Sequence, residues 1–240
     1  MTDHHFSPAV TAQRAPGSAA DRDFFPTPPW ATRALLPILC DPHLSRRTIW
    51  EPACGEGHMA LPLLESSGAR VVASDIEDRP WADKARRQFI GGGGARIPQS
   101  LDFLTCRNVA VQADWVITNP PFNLAEAFVD RALKVASVGV AMLVRTSWVE
   151  GTGRFDRLFD ARPPYLIAQF SERVPMVKGR WDPDASTATA YAWFVWSQDD
   201  RIGGTRFTWI PPGQKALHHR QIDLALFDAG QASPLFPAQV

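Results

Sequence analysis

The chain has no excess of charge of either sign. Its formal net charge is zero over 240 residues, which argues against a protein that coats nucleic acid through bulk charge alone. Cysteine is scarce: Cys40, Cys54 and Cys106 are odd in number, widely spaced and form no C-x-x-C pair, so neither a disulfide framework nor a zinc site is expected. The adjacent pairs His4-His5 and His218-His219 would point in different directions on any regular element, and no metal is expected. No window approaches the roughly 18 consecutive apolar residues of a membrane span. The first 20 residues lack the basic-then-apolar order of a signal peptide, and the expectation is a soluble, cytoplasmic protein. No internal repeat is visible, and no Ser-His-Asp arrangement suggests a hydrolase.

What is present fits one ordinary domain, with 45% hydrophobic and 21% charged residues, enough to bury a full core. Residues 1–21 mix small and polar types without an apolar period and read as a disordered arm. The domain is expected over 22–212, with a C-terminal extension from 213 to 240. Within it, Pro29 suits a first helical position, and Trp30, Leu35, Leu36 and Ile38 give one helix-length pattern. Strands are then expected at 48–50, 70–74, 113–118 and 138–144, separated by helices at 59–65, 80–89 and 124–136. This alternation reads as an α/β parallel sheet wound on both faces. A further helix is expected at 154–161, later strands at 165–170 and 191–196, and 206–210 extends the sheet or a hairpin. Residues 174–189 form a loop long enough to be functional.

Charge is unevenly distributed. Seven basic residues against four acidic ones lie between Ala141 and Arg180, and Arg201–Arg220 has four basic residues and no acid. Arginine predominates there, and its planar fork suits phosphate.

The chemistry-bearing residues cluster at strand ends. After the first strand, Glu51-Pro52-Ala53-Cys54-Gly55-Glu56-Gly57-His58 opens onto a helix; its glycines permit a tight turn and close ligand approach, and the acid can hold a cation. The spacing departs from the dinucleotide fingerprint, since Ala60 stands three after Gly57 and the loop starts with an acid, so a phosphate-free ligand is expected at this turn. Asp75, at the end of the second strand and followed by Ile76, can accept both hydroxyls of a ribose. Asp102 offers an acceptor for an exocyclic amine, and Phe103 a ring to stack on an adenine. Each alone has a plain structural use; in this order they describe a nucleoside pocket.

The most specific signal is Asn119-Pro120-Pro121-Phe122, directly after the strand at 113–118. Two prolines fix the backbone and remove two N–H donors, so the turn presents acceptors: the Asn119 side-chain oxygen and nearby carbonyls. An amino group conjugated to a ring has its lone pair tied up in that ring. Accepting its hydrogens in a fixed geometry draws the nitrogen toward tetrahedral and frees the lone pair to attack a methyl group, which is electrostatic preorganisation. Phe122 would stack on the ring.

In this order the motifs resemble the amino-methyltransferases of the class I S-adenosylmethionine-dependent fold, particularly adenine-N6 DNA methyltransferases of phage and prophage type, over about Asp23 to Trp196. The resemblance implies a Rossmann-like, mostly parallel seven-stranded sheet whose last strand, here 191–196, is antiparallel. It likens Phe24-Phe25-Pro26-Thr27-Pro28 to the motif packed over the methionine end of the cofactor, with Thr27 near the carboxylate. Glu51, Ala53, Gly55 and Gly57 correspond to the cofactor loop, Asp75 and Ile76 to the ribose site, Asp102 and Phe103 to the adenine contacts, and Asn119, Pro120, Pro121 and Phe122 to the catalytic motif. Glu51 replaces the commoner Asp, and no large target-recognition domain is evident.

DNA, double-stranded, is the expected partner, with the target adenine flipped from the stack. Loops at 150–154 and 173–189 are the candidate readers of sequence, with Arg173, Lys178 and Arg180 positioned for phosphate and Trp181 as a stacking platform. The same Asn-Pro-Pro-aromatic turn also serves RNA adenine-N6 and protein glutamine-N5 methylation, and a non-catalytic module binding cofactor or nucleic acid is a further alternative. Oligomeric state is not legible.

Overall fold

The computed structural model describes residues 23–97, 100–107, 111–199 and 203–227. The arm expected over 1–21, the histidines at 4 and 5, and residues 228–240 of the C-terminal extension lie outside the described residues. The elements in chain order are α1 (Pro29–Arg33), α2 (Leu36–Leu39), β1 (Thr48–Glu51), α3 (Ala60–Ser67), β2 (Arg70–Ala73), α4 (Asp83–Gly91), β3 (Ala95–Arg96), β4 (Ala113–Thr118), α5 (Ala125–Val135), β5 (Ala136–Arg145), α6 (Thr152–Arg154), β6 (Leu166–Phe170), β7 (Tyr191–Ser197), β8 (Arg206–Ile210), α7 (Gln214–His218) and α8 (Gln221–Phe227).

Pro29 opens α1 as its spacing predicts, but the single helix expected through Ile38 is two. Pro37 has no N–H to bond back to the Arg33 carbonyl, so the ladder breaks there. The expected helix at 154–161 is likewise a short α6 running into a π-helical turn at Phe155–Phe159.

The described strands form one sheet in the order β3-β2-β1-β4-β5-β7-β6-β8. All run in one direction except β7, which pairs antiparallel with β5 on one side and β6 on the other. The expected reversed strand at 191–196 is therefore present, inserted between its neighbours. An eighth strand, β8, extends the sheet beside β6 in parallel. Sheets of this type are covered on both faces, and central strands read as near-continuous apolar runs; Tyr191–Trp196 of β7 is buried throughout.

Alternate residues feed two cores. In β5, Ala141 and Leu143 join the cluster containing Trp30, Leu61, Phe89 and Leu226, while Val140, Met142 and Val144 join Phe128, Val129 and Trp148 on the other face. α1, α3, α4 and α8 thus cover one face, and α5 with the segment after β5 covers the other. The C-terminal segment packs onto the domain: the Arg33 guanidinium of α1 donates to both Asp223 oxygens of α8, at 2.6 and 2.7 Å, in a buried pair. Among the described residues, no helix is long and apolar enough to cross a membrane.

Candidate functional site

β1, β2 and β4 run parallel as neighbours, so their C-terminal ends lie side by side. A cavity of about 630 Å³ opens there, within the usual range for a small-molecule site. Its lining includes Phe25, Thr27, Glu51, Ala53, Asp75, Ile76, Asp102, Phe103 and Asn119 through Phe122, so residues far apart in sequence converge as their strand-end positions predict. Pro28, Gly55 and Gly57 are absent from the lining.

The two loop glycines shape the wall from behind. Both have positive φ, 50° at Gly55 and 90° at Gly57, a region that costs other residues strain. The Gly57 N–H donates to the Cys54 carbonyl at 2.8 Å, and the Gly55 carbonyl accepts from Trp81 Nε1 at 2.8 Å. A Cβ on Gly57 would stand 2.8 Å from the Trp81 ring. Trp81, which sequence reasoning did not single out, therefore fixes the loop against the core.

Asp75 accepts the Gly55 N–H on Oδ2 at 2.7 Å and the Glu77 N–H on Oδ1 at 2.9 Å. Those bonds aim the carboxylate across the loop, and each oxygen retains capacity for a further donor. Burial raises its pKa against the effect of both N–H groups. Glu51 is 1% exposed; Oε1 accepts from the Thr118 hydroxyl at 3.1 Å, while Oε2 is buried without a partner. Burial, reinforced by the Asp75 charge, holds its carboxyl well above the usual carboxylate range. An atom in that state on a cavity wall is suited to a cation or N–H donor brought by a ligand.

Phe103 is buried edge-on to Trp50 at 5.1 Å and tilted against Phe128 at 5.1 Å, forming an aromatic wall. Asp102 accepts the Leu104 N–H at 2.9 Å, which turns the chain so that both residues line the cavity.

At Asn119 the two ends of the amide are treated differently. Nδ2 donates to the Phe25 carbonyl at 3.0 Å and to Thr27 Oγ1 at 3.1 Å, with Met176 Sδ at 3.6 Å. Oδ1 is buried and has no partner. Thr27, expected near a cofactor carboxylate, is thus engaged as an orienter of Asn119. The Phe122 ring packs against Phe25 at 5.0 Å, and the Arg145 guanidinium lies over it at 4.4 Å. A flat cation already stacks on that ring.

The residues expected to contact nucleic acid lie elsewhere. Arg173, Lys178, Arg180 and Trp181 are all absent from the cavity lining. Arg173 is exposed and donates to the Ala188 carbonyl at 2.9 Å, and Arg180 pairs with Asp182 at 3.0 Å. Trp181 is half-buried and turned inward, edge-on to Phe227, so it packs rather than projects. Much of the basic excess is met by distant acids: Arg157 by Glu126 at 2.6 Å, Arg162 by Asp130 at 2.7 Å and Arg220 by Glu65 at 3.2 Å. Sequence reasoning also missed His58, Arg79 and Met176 as lining or orienting residues. His58 adjoins Gly57 and could have been found from that loop, whereas Met176 carries no local signal. Among the described residues, no group of three or more His, Cys, Asp or Glu could hold a metal ion.

No protein-family model matches the sequence, and no curated protein sequence does. Solved structures match the fold. A chain described as the modification subunit of a type I restriction enzyme from Vibrio vulnificus superposes with a TM-score of 0.56 at 17% identity, over 86% of this chain and 52% of that one. The present chain therefore spans about half the length of that subunit. A Lactococcus lactis protein described as a hemolysin superposes with a TM-score of 0.51 at 11% identity, over 79% of this chain and 97% of its own. A class I S-adenosylmethionine-dependent methyltransferase from Listeria monocytogenes, at 12% identity over 78% and 65% of the two chains, gives 0.48. At such identities the likeness is one of fold: a Rossmann-like, mostly parallel sheet with one reversed strand and helices on both faces.

Proposed function

We propose that this chain is an S-adenosylmethionine-dependent N-methyltransferase whose acceptor is adenine N6 in DNA. The observation that carries the reading is the Asn119 amide: its NH₂ is spent on three internal acceptors, and its oxygen is left buried and unpartnered on the cavity wall. Such an oxygen is placed to accept an N–H from a substrate. Pro120 and Pro121 add no N–H to compete, and the Pro121 carbonyl already accepts from Leu124 at 2.9 Å. The second acceptor for the target amine is assigned to the Pro120 carbonyl.

The remaining lining residues support the cofactor. Glu51 Oε2 suits an ammonium, Asp75 a ribose, Asp102 an exocyclic amine and the Phe103 face an adenine. When bound, S-adenosylmethionine supplies an electrophilic methyl group on a sulfonium. The chain's part is to hold the acceptor nitrogen. Asn119 Oδ1 and the Pro120 carbonyl would accept hydrogen bonds from its two N–H groups, and Phe122 would pack against its ring at the edge that Arg145 leaves open, so that the nitrogen lone pair is directed at the methyl group the cofactor would supply. The proton released on methylation would pass to solvent, so none of these residues is needed as a general base.

The aromatic ring at Phe122 favours a flat nucleobase over a glutamine side chain, and the fold likeness to a restriction-modification subunit agrees with DNA. Transfer of labelled methyl to unmethylated DNA, total RNA and a protein extract in parallel, followed by nucleoside analysis, tests the assignment. N6-methyladenine in DNA is the expected product; label confined to RNA or protein would overturn the acceptor.

A further inference from the structure

Arg145 ends β5, and β5 runs parallel beside β4, so the residue stands next to the turn that carries Asn119 to Phe122. Its backbone pairs with Tyr191 of β7, while its side chain is exposed and lies outside the cavity lining. The guanidinium is nevertheless held. It lies over the Phe122 ring at 4.4 Å from the centroid. It also reaches the hydroxyl of buried Tyr191, where its charge and hydrogen bonding offset part of the rise in pKa that burial causes. The Tyr191 and Phe122 rings are themselves neighbours, with centroids 6.2 Å apart.

Neither contact neutralises the charge. Among the described residues no carboxylate forms an ion pair with Arg145, whereas Arg157, Arg162, Arg180 and Arg220 each have one. Arg79, across the cavity, has the carboxyl groups of Glu56 and Asp75 within reach of its charge. Arg154 is spent on the Trp148 and Glu150 carbonyls. An exposed arginine fixed on a ring with its charge unmet is preorganised for an anion, because little of its freedom remains to be lost when the fork bonds.

A nucleotide acceptor brings such an anion to this place. The cavity lining carries Asp23, Glu51, Asp75, Glu77 and Asp102 against one cation, Arg79, so a base can enter while its phosphates are kept at the rim. Arg145 is on that rim, in contact with the ring that packs against the base. Resting on the acceptor reading above, we propose that Arg145 binds a phosphate of the DNA strand beside the target adenine, donating from its guanidinium fork to the phosphate oxygens while Phe122 holds the base. The contact selects a nucleotide over an uncharged amide side chain and lies apart from those expected of the 173–189 loop.

The test is steady-state methylation of a short DNA duplex containing the modified adenine, with natural phosphates or with neutral methylphosphonates on either side of it, by wild type, Arg145→Ala and Arg145→Lys. Arg145→Ala is expected to raise KM for the natural duplex about tenfold, the loss of one charge-assisted bond, with kcat within about threefold. The slope of log KM against log salt is expected to fall by about one in Arg145→Ala and to be kept in Arg145→Lys, which retains the charge. Methylphosphonates are expected to cost wild type about tenfold in KM and Arg145→Ala nothing further. An equal methylphosphonate penalty in wild type and Arg145→Ala would overturn the assignment. So would a loss confined to kcat with an unaltered salt slope, the result if Arg145 only props Phe122. No methyl transfer to DNA by wild type would overturn the acceptor reading itself, and this assignment with it.

Discussion

Glu51 is 1% exposed and bears an oxygen with no hydrogen-bond partner within the chain, which is costly unless the group protonates or a ligand pairs with it. Its folded pKa is raised, by burial first and the Asp75 charge second. The native state therefore binds the proton more tightly than the unfolded chain. Its contribution to stability is fully present below the unfolded value and is lost as pH rises through the folded one. Glu51→Gln removes that dependence. The expected result is a melting temperature close to wild type near pH 4 and progressively above it toward pH 8, by roughly 1–3 kcal/mol of stability, together with weaker cofactor binding. Thermal melts across this range check it, and a variant destabilised equally at every pH would contradict the account. His58 acts in the opposite sense: a folded pKa of about 3 leaves native stability intact above the unfolded value and diminishes it as pH falls below that.

Elements place these residues, and some elements were more legible than others. Glu51, Asp75 and Asn119 could be located because each closes a short apolar run, and in a parallel sheet neighbouring strand ends meet at one edge. The role of Thr27 was not legible, because its bond to Asn119 joins positions 92 residues apart. α7 and α8 were missed as packed elements, being only five and seven residues long and so too short for a clear helical period. What holds α8 is the buried Arg33–Asp223 pair, a contact no local pattern announces. Asp223→Ala removes the bidentate partner of Arg33, leaving it Glu65 at 3.5 Å and the His218 carbonyl at 3.0 Å, and is expected to cost about 3 kcal/mol, read by urea denaturation; a loss under 1 kcal/mol would show that α8 is held by apolar packing alone. The 173–189 loop is anchored at several points, including Lys215 Nζ to the Pro183 carbonyl at 2.6 Å. Its exposed Arg173 and Lys178 remain the proposed phosphate contacts. Arg173→Glu with Lys178→Glu is expected to weaken DNA binding and reduce the slope of log affinity against log salt by about two. An unaltered slope would remove the loop from the interface.

At the scale of the molecule, the basic clusters that stand out in the sequence are balanced in part by Glu65, Glu126 and Asp130, which pair with Arg220, Arg157 and Arg162 across the fold, a pairing a linear count cannot reveal. Of the described buried polar atoms without partners, those of Glu51, His58 and Asn119 belong to residues lining the cavity, whereas those of Thr32, Arg33, Arg96, Arg131 and Arg154 do not. At the cavity, such unpartnered atoms are where stability can give way to ligand binding. The central claim is that the unpartnered Asn119 oxygen holds the acceptor amine, and the most direct measurement compares methyl transfer and S-adenosylhomocysteine affinity in wild type and Asn119→Ala. The account predicts that transfer falls by roughly 10²–10³-fold or more while affinity stays within a few-fold; turnover equal to wild type would contradict it.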